Sequence, residues 1–221
     1  MGQKIHPKGF RLGTVFTWSS RWFSHAKQYK TLLYEDVMLR AVLTKKLKSA
    51  GLAEVEIERS INTMKIILHV SKPGIVIGRG GSGLEELKKY IEHYIADLFK
   101  NTNKKLETKK KLEVTVEPVK EPNLNAHLVA TNMADQLVKR LPHKRVANQT
   151  VERVMSSGAK GVRIVLAGRI AGAEIARREK YQSGTVPLST IREDIDFAAV
   201  PALTKSGYVG VKVWICRKSI L

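Results

Sequence analysis

The sequence predicts an α+β protein of two units. The first runs helix-strand-strand-helix-helix-strand, and the second sets two helices on a mostly antiparallel sheet of three or four strands. Three observations predict this. Apolar spacing switches repeatedly between helical and alternating periods along the 221 residues. Pro118 and Pro122 punctuate the chain where one pattern gives way to the next. A glycine turn, Gly78-Arg79-Gly80-Gly81-Ser82-Gly83, sits between two helical segments rather than behind a long strand.

The elements follow in order. Residues 1–16 carry Lys4, Lys8 and Arg11 without any period, and read as a basic tail ordered by a partner. Residues 17–118 form the N-terminal domain, with its core at about 38–118. Its first helix covers Ala26 to Ala50, with Leu33, Val37, Ala41, Val42, Leu43 and Leu47 supplying apolar faces and Gly51 the stop. Val55 and Ile57 alternate with three glutamates as a strand, and Ile66, Leu68 and Val70 share the face of a second; Asn62-Thr63 joins them as a hairpin. A short apolar Ile75-Val76-Ile77 leads into the glycine turn. Leu84, Leu87, Ile91, Ile95 and Leu98 then mark a helix, and Leu112–Val116 a third strand. In residues 119–221, Val129, Met133 and Leu137 predict one helix, broken near Pro142. Val151, Val154 and Met155 predict another, closing at Gly158. Strand-like runs lie at Val162–Ala167, near Ile191–Ala199, and at Tyr208–Arg217, where Val209, Val211, Val213 and Ile215 share a face.

Charge narrows the function. The chain holds 39 Lys+Arg against 20 Asp+Glu, a formal charge of +19, yet its 43% hydrophobic content supports a folded core. A domain this basic repels itself, and a polyanion relieves that repulsion. Nucleic acid is the expected partner. No apolar run reaches the length of a membrane span, and the opening residues lack a signal core, so no membrane partner and a cytoplasmic location are expected. One cysteine, Cys216, excludes an intrachain disulfide, and its apolar run makes it an inert strand residue. The six histidines are dispersed without metal-ligand spacing, and no serine or cysteine sits in a nucleophile-elbow context. Asp194 and Asp196 alternate like a carboxylate pair, but with Arg192 nearby they read as salt-bridged surface. No enzyme, cofactor, metal or homo-oligomer is expected.

The glycine turn matches G-x-G-x-x-G, the fingerprint of dinucleotide loops. That fold needs a full strand before the turn and an acidic residue roughly 20 positions later, at the end of a second strand. Here Pro73-Gly74 leaves three apolar residues, and Asp97 falls inside a helix. The turn also contains G-x-x-G, Gly78 to Gly81. Between two helices, such a turn lets backbone approach a sugar-phosphate chain and offers the next helix's N-terminus to phosphate. Lys72 and Arg79 add cations. This is how a KH module clamps about four nucleotides of single strand.

Larger blocks carry a resemblance. Met1-Gly2-Gln3-Lys4-Ile5-His6-Pro7 with Gly9-Phe10-Arg11-Leu12-Gly13, then Pro73 to Gly78, then Gly158-Ala159-Lys160-Gly161 occur in order. Gly168-Arg169 with Gly172 to Arg177, and Gly210 to Ile215, complete the set. The chain resembles bacterial small-subunit ribosomal protein three over essentially its whole length. The resemblance implies a type II KH domain followed by a small α/β domain, on the head of the small subunit where messenger RNA enters. The partners it implies are 16S ribosomal RNA, messenger RNA and head proteins ten and fourteen, with the chain ribosome-bound. A free-standing KH-type RNA chaperone is the alternative, although it has no need of the Met1–Gly13 or Gly172–Arg177 blocks.

Two basic groups follow. Lys139, Arg140, His143, Lys144 and Arg145 straddle Pro142, and a continued helix would set Arg140 and Lys144 one turn apart. The resemblance implies that Lys144 and Arg145 face incoming messenger and assist its unwinding without ATP hydrolysis. The family's pattern continues with another basic pair, where this chain has Asn148 and Gln149. The second group, Arg169, Arg177, Arg178 and Lys180, flanks small residues from Ala171 to Ala176 and suits a hairpin laid on ribosomal RNA, as do Lys4, Lys8 and Arg11. Lys104, Lys105 and Lys109 to Lys111 read as a generic phosphate binder.

Overall fold

The computed structural model describes residues 4–101 and 111–218; Lys104, Lys105, Lys109 and Lys110 lie outside the described residues. The chain divides into two compact units, 18–120 and 1–17 with 121–221.

In the first unit the order is β1 (Ser20–Arg21), α2 (Ala26–Lys46), β2 (Leu52–Arg59), β3 (Thr63–Val70), α3 (Pro73–Ile77), α4 (Ser82–Asn101) and β4 (Lys111–Pro118), preceded in the chain by α1 (Pro7–Phe10). The sheet runs β1-β2-β3-β4, with β2/β3 an antiparallel hairpin and β3/β4 parallel. Gly51, at φ 68°, ends the first helical segment in the left-handed conformation that glycine adopts without a Cβ clash. Leu39 and Leu43 of α2 with Leu47 just past its end, and Leu87 and Ile91 of α4, recur every four residues and bury their stripes against Val55, Ile57, Ile66 and Leu68.

The buried face of α2 is not the one expected. Leu33, Val37 and Ala41 are exposed, and Glu35 and Asp36 are buried. The reason is Arg59 at the end of β2. Its Nη1 donates to Glu35 Oε2 at 2.9 Å and its Nε to Asp36 Oδ1 at 3.0 Å. Asp36 Oδ2 accepts from Trp22 Nε1 at 2.8 Å and from Ser20 Oγ at 3.1 Å, which ties the segment before α2 to the same point. Burial of a charge requires such a partner, and the partner lies in another element.

In the second unit, α5 (Ala126–Val138) and α6 (His143–Ser156) precede β5 (Gly161–Gly168), β6 (Arg177–Gly184), β7 (Ile195–Thr204) and β8 (Gly207–Cys216). The four strands form an antiparallel sheet in the order β6-β5-β8-β7. Alternation gives β5 and β8 two buried faces. Val162, Ile164, Leu166, Val211, Val213 and Ile215 pack with Met133, Val146 and Val154 of the helices, and Val165, Trp214 and Cys216 pack on the other side with Ile195. Cys216 is buried there, and burial pushes its thiol pKa up to about 11, which keeps it protonated and unreactive at neutral pH.

Two expectations for this unit are corrected. The basic stretch expected as a tail is docked where it is described: Pro7–Phe10 is helical and packs with β7, and the His6 ring meets Phe197 edge-on at 5.0 Å. Asp194 and Asp196 are not a surface pair. Asp194 precedes β7, while Asp196 is buried. Its Oδ2 accepts from the Ala126 N–H at 2.8 Å, at the start of α5, and from Arg217 Nη2 at 3.0 Å, and Oδ1 meets Lys8 Nζ at 3.0 Å. A carboxylate at a helix N-terminus satisfies backbone donors the helix leaves open.

Candidate nucleic-acid interface

The glycine turn divides its glycines between two tasks. A Cβ on Gly78 would lie 2.9 Å from the Gly83 nitrogen, and one on Gly83 only 2.7 Å from the Val76 carbonyl oxygen. Those two glycines let α3 and α4 approach each other. Gly83, part of the quoted motif but not among the expected contacts, is thus a positioning residue. Gly80 and Gly81, at φ 61° and 85°, face open space. Their bare backbone, with exposed Arg79 between Gly78 and Gly80, is open to solvent. Ser82 Oγ donates to the Arg79 carbonyl at 3.0 Å and fixes the turn against α4, whose N-terminus follows. Gly78, Arg79, Gly80 and Gly81 form the turn between α3 and α4, with Lys72 at the opposite end of α3.

The basic group around Pro142 is built differently from the sequence expectation. Arg140 does not continue a helix toward Lys144. Helix α5 closes with the Arg140 N–H on Leu137 O at 2.9 Å and the Leu141 N–H on Gln136 O at 3.2 Å. That pairing requires a left-handed residue at the turn, and Arg140 takes it at φ 62°. Helix α6 ends in the same way, with Gly158 at φ 92° in the equivalent place. Pro142 then starts α6 anew.

Lys144 and Arg145 accordingly occupy the first turn of α6, exposed, with no acidic residue there. This inverts the usual preference, since a helix N-terminus carries partial positive charge and attracts acids. In α4 the first turn does carry Glu85. Lys139, Arg140, Lys144 and Arg145 form no ion pair among the described residues. Cations beside a positive helix end with open N–H groups raise the local positive potential. His143 is drawn inward instead, with Nε2 3.1 Å from Glu179 Oε2. The Tyr181 hydroxyl donates to the same carboxylate at 2.6 Å and holds its pKa below the ordinary range, opposed by burial and helped by His143, Arg177 and, beyond ion-pair distance, Lys144. Asn148 and Gln149 are exposed one turn further along α6.

The strained cap makes a prediction. A left-handed L-residue costs roughly 1–2 kcal/mol, and glycine recovers part of that against its larger unfolded-state entropy of about 0.5–1 kcal/mol. Arg140→Gly should raise stability to urea by about 0.5–1 kcal/mol while weakening RNA binding. Loss of stability would show that the arginine side chain, not the backbone, holds the turn.

The remaining expected contacts separate into two sets. Lys4, Arg178 and Lys180 are exposed. Arg169 is exposed too, although its Nε is held by the Ala173 carbonyl at 2.9 Å. Arg177, half exposed, pairs with Glu179 at 3.0 Å. Lys8 is engaged by Asp196, and Arg11 is not a surface residue at all. Its guanidinium is fully buried and donates to carbonyls of Pro7, Leu188, Thr190 and Glu193 at 2.8–3.1 Å. Arg11 closes the fold of the second unit, and no phosphate can reach it.

Among the described residues, no helix is long and apolar enough to cross a membrane, and no His, Cys, Asp and Glu group could hold a metal ion. A family model described as KH domain matches residues 38–124, and one described as ribosomal protein S3, C-terminal domain, matches residues 133–215. Curated relatives named small ribosomal subunit protein uS3 are similar along the whole chain. The relative from Desulforamulus reducens is 45% identical over 221 residues, covering 100% of this chain and 94% of its own length. The one from Pelotomaculum thermopropionicum is 44% identical with 100% and 90% covered, and the one from Bacillus cereus 44% identical with 100% and 94% covered.

Proposed function

Because the chain belongs to the small ribosomal subunit protein uS3 family, a family of non-enzymatic ribosomal proteins that bind ribosomal RNA, we propose that its further task is to grip messenger RNA where it enters the small subunit. The observation that carries this reading is the unpaired Lys144 and Arg145 on the first turn of α6. Phosphates of an incoming single strand would be held by these cations and by the open N–H groups of the helix end. A paired stem cannot follow the strand into that grip without losing base pairs. Each phosphate held therefore favours the open strand, and movement of the message, not ATP hydrolysis, supplies the work.

Arg140 adds a third cation from the neighbouring turn. Asn148 and Gln149 leave the basic stripe on α6 one turn long. Exposed Lys4, Arg169, Arg178 and Lys180 would lie on 16S ribosomal RNA, the glycine turn with Lys72 and Arg79 on RNA backbone, and head proteins ten and fourteen would complete the surroundings.

Lys144→Ala with Arg145→Ala should slow translation through a stable hairpin several-fold, each lost charge-assisted contact being worth about 1.5–3 kcal/mol before screening. Translation of an unstructured message should be unaffected. Equal hairpin read-through by variant and parent ribosomes in a purified system would sink the proposal. Sedimentation in a salt-containing gradient checks the wider setting, since an RNA chaperone would leave a free pool and a subunit protein would not.

A further inference from the structure

Two non-glycine residues have positive φ among the described residues, Arg140 at 62° and Ala171 at 56°. Both line one cavity of about 450 Å³ in the second unit. The floor of this cavity that a ligand can reach is apolar, formed by Leu137, Leu141 and Pro142, over core residues Leu166, Ile170 and Val209 that are themselves buried. Its rim is cationic: Arg140, Arg169 and Lys205 are exposed, and no carboxylate is among the residues that line it. Arg169 is held in place from both sides, Nε donating to Ala173 O at 2.9 Å and Nη1 to Ser206 O at 3.3 Å. It thereby joins the loop after β5 to the β7–β8 turn and presents a fixed guanidinium plane. Arg140 and Lys205 form no ion pair among the described residues.

An apolar floor beneath three cations suits a ligand that is flat and apolar at one end and anionic at the other. We infer that this cavity holds a single nucleotide unit, its base against Leu137, Leu141 and Pro142 and its phosphate among Arg140, Arg169 and Lys205. The volume lies within the range of small-ligand sites. Phosphate alone would make no use of the floor, and an apolar ligand would leave the cations without a partner. The same chemistry is available from an unstacked nucleotide of an RNA strand and from a free nucleoside monophosphate. The inference rests on the reading of the chain as an RNA-binding protein, but on residues other than Lys144 and Arg145.

The test is calorimetric titration of the full chain with adenosine monophosphate, adenosine and inorganic phosphate. The nucleotide should bind about ten-fold or more tighter than either part alone, since both halves of the cavity are then used. Lys205→Glu, a substitution at an exposed turn, should weaken it about ten-fold, and Ser206→Trp should close the mouth. Phosphate binding as tightly as the nucleotide, nucleotide binding unchanged in both variants, or no nucleotide binding by the parent chain would each overturn the inference. A single-stranded oligonucleotide that displaces the bound nucleotide assigns the cavity to RNA; failure to displace it assigns a free nucleotide, and both results uphold a nucleotide site. Lys144→Ala with Arg145→Ala should weaken the oligonucleotide and leave adenosine monophosphate untouched. The hairpin assay can therefore fail without the cavity failing, and the reverse.

Discussion

Replacing Arg59 by Met should cost the first unit about 3–5 kcal/mol, because Glu35 and Asp36 would then be buried without a cation. Arg59, Glu35 and Asp36 are exposed by only 4%, 5% and 0% of their side-chain surfaces, so water cannot take over the lost contacts. The other oxygen of Glu35 already has no hydrogen-bond partner, which leaves the site little reserve. Hydrogen exchange in α2 and β2 reads the loss directly. The cause can be isolated by adding Glu35→Gln and Asp36→Asn to Arg59→Met. Removing the orphaned charges should restore part of the stability, and a triple variant no better than the single one would show that lost packing of the arginine stem dominates.

Arg11→Ala should destabilise the second unit by about 3 kcal/mol, since several carbonyls would lose a charged donor and an unmade buried hydrogen bond costs about 1–3 kcal/mol. Arg11→Lys should rescue little, because one ammonium cannot reach carbonyls of Pro7, Leu188, Thr190 and Glu193 at once. Protease susceptibility of the Pro187–Glu193 segment is the measurement. RNA titration at several salt concentrations supplies the contrast. A phosphate contact would lower the salt slope by about one when removed, and a buried clasp should leave that slope unchanged in molecules that remain folded.

Local signals made most of the fold legible. The alternation of Val55 and Ile57, the stop at Gly51, and the valines of β8 each depend on residues next to one another, and each element stands where they put it. The glycine turn was legible for the same reason. What could not be read was decided at a distance. Arg11 finds its acceptors 176–182 residues away in most of its bonds, so nothing around it distinguishes it from a surface cation. Glu35 and Asp36 turned inward for Arg59, which lies in another element. Strand β6, Arg-Arg-Glu-Lys-Tyr-Gln-Ser-Gly, has no apolar alternation because it pairs on one side only and faces little core. Arg140 in a left-handed cap was hidden because glycine, the usual marker, is absent there.

At the candidate site the same division holds. The residue types at Lys144 and Arg145 were visible, whereas their place on the first turn of a separate helix was not. Lys205 carried no signal beyond its turn. Its significance comes only from lining the same cavity as Arg140 and Arg169.

Among the described residues, the order β6-β5-β8-β7 leaves two strands with unpaired backbone along one side. Chains made faster than RNA becomes available must wait in solution, and open strand edges are where identical copies zip together. This sheet resists that. Along β6, Arg177, Arg178 and Lys180 would bring like charges together in any copy-to-copy pairing, and in the middle of β7 Pro201 removes a donor. The cations of β6 thus have a use while the chain is still unassembled: they keep each molecule from becoming the template for the next.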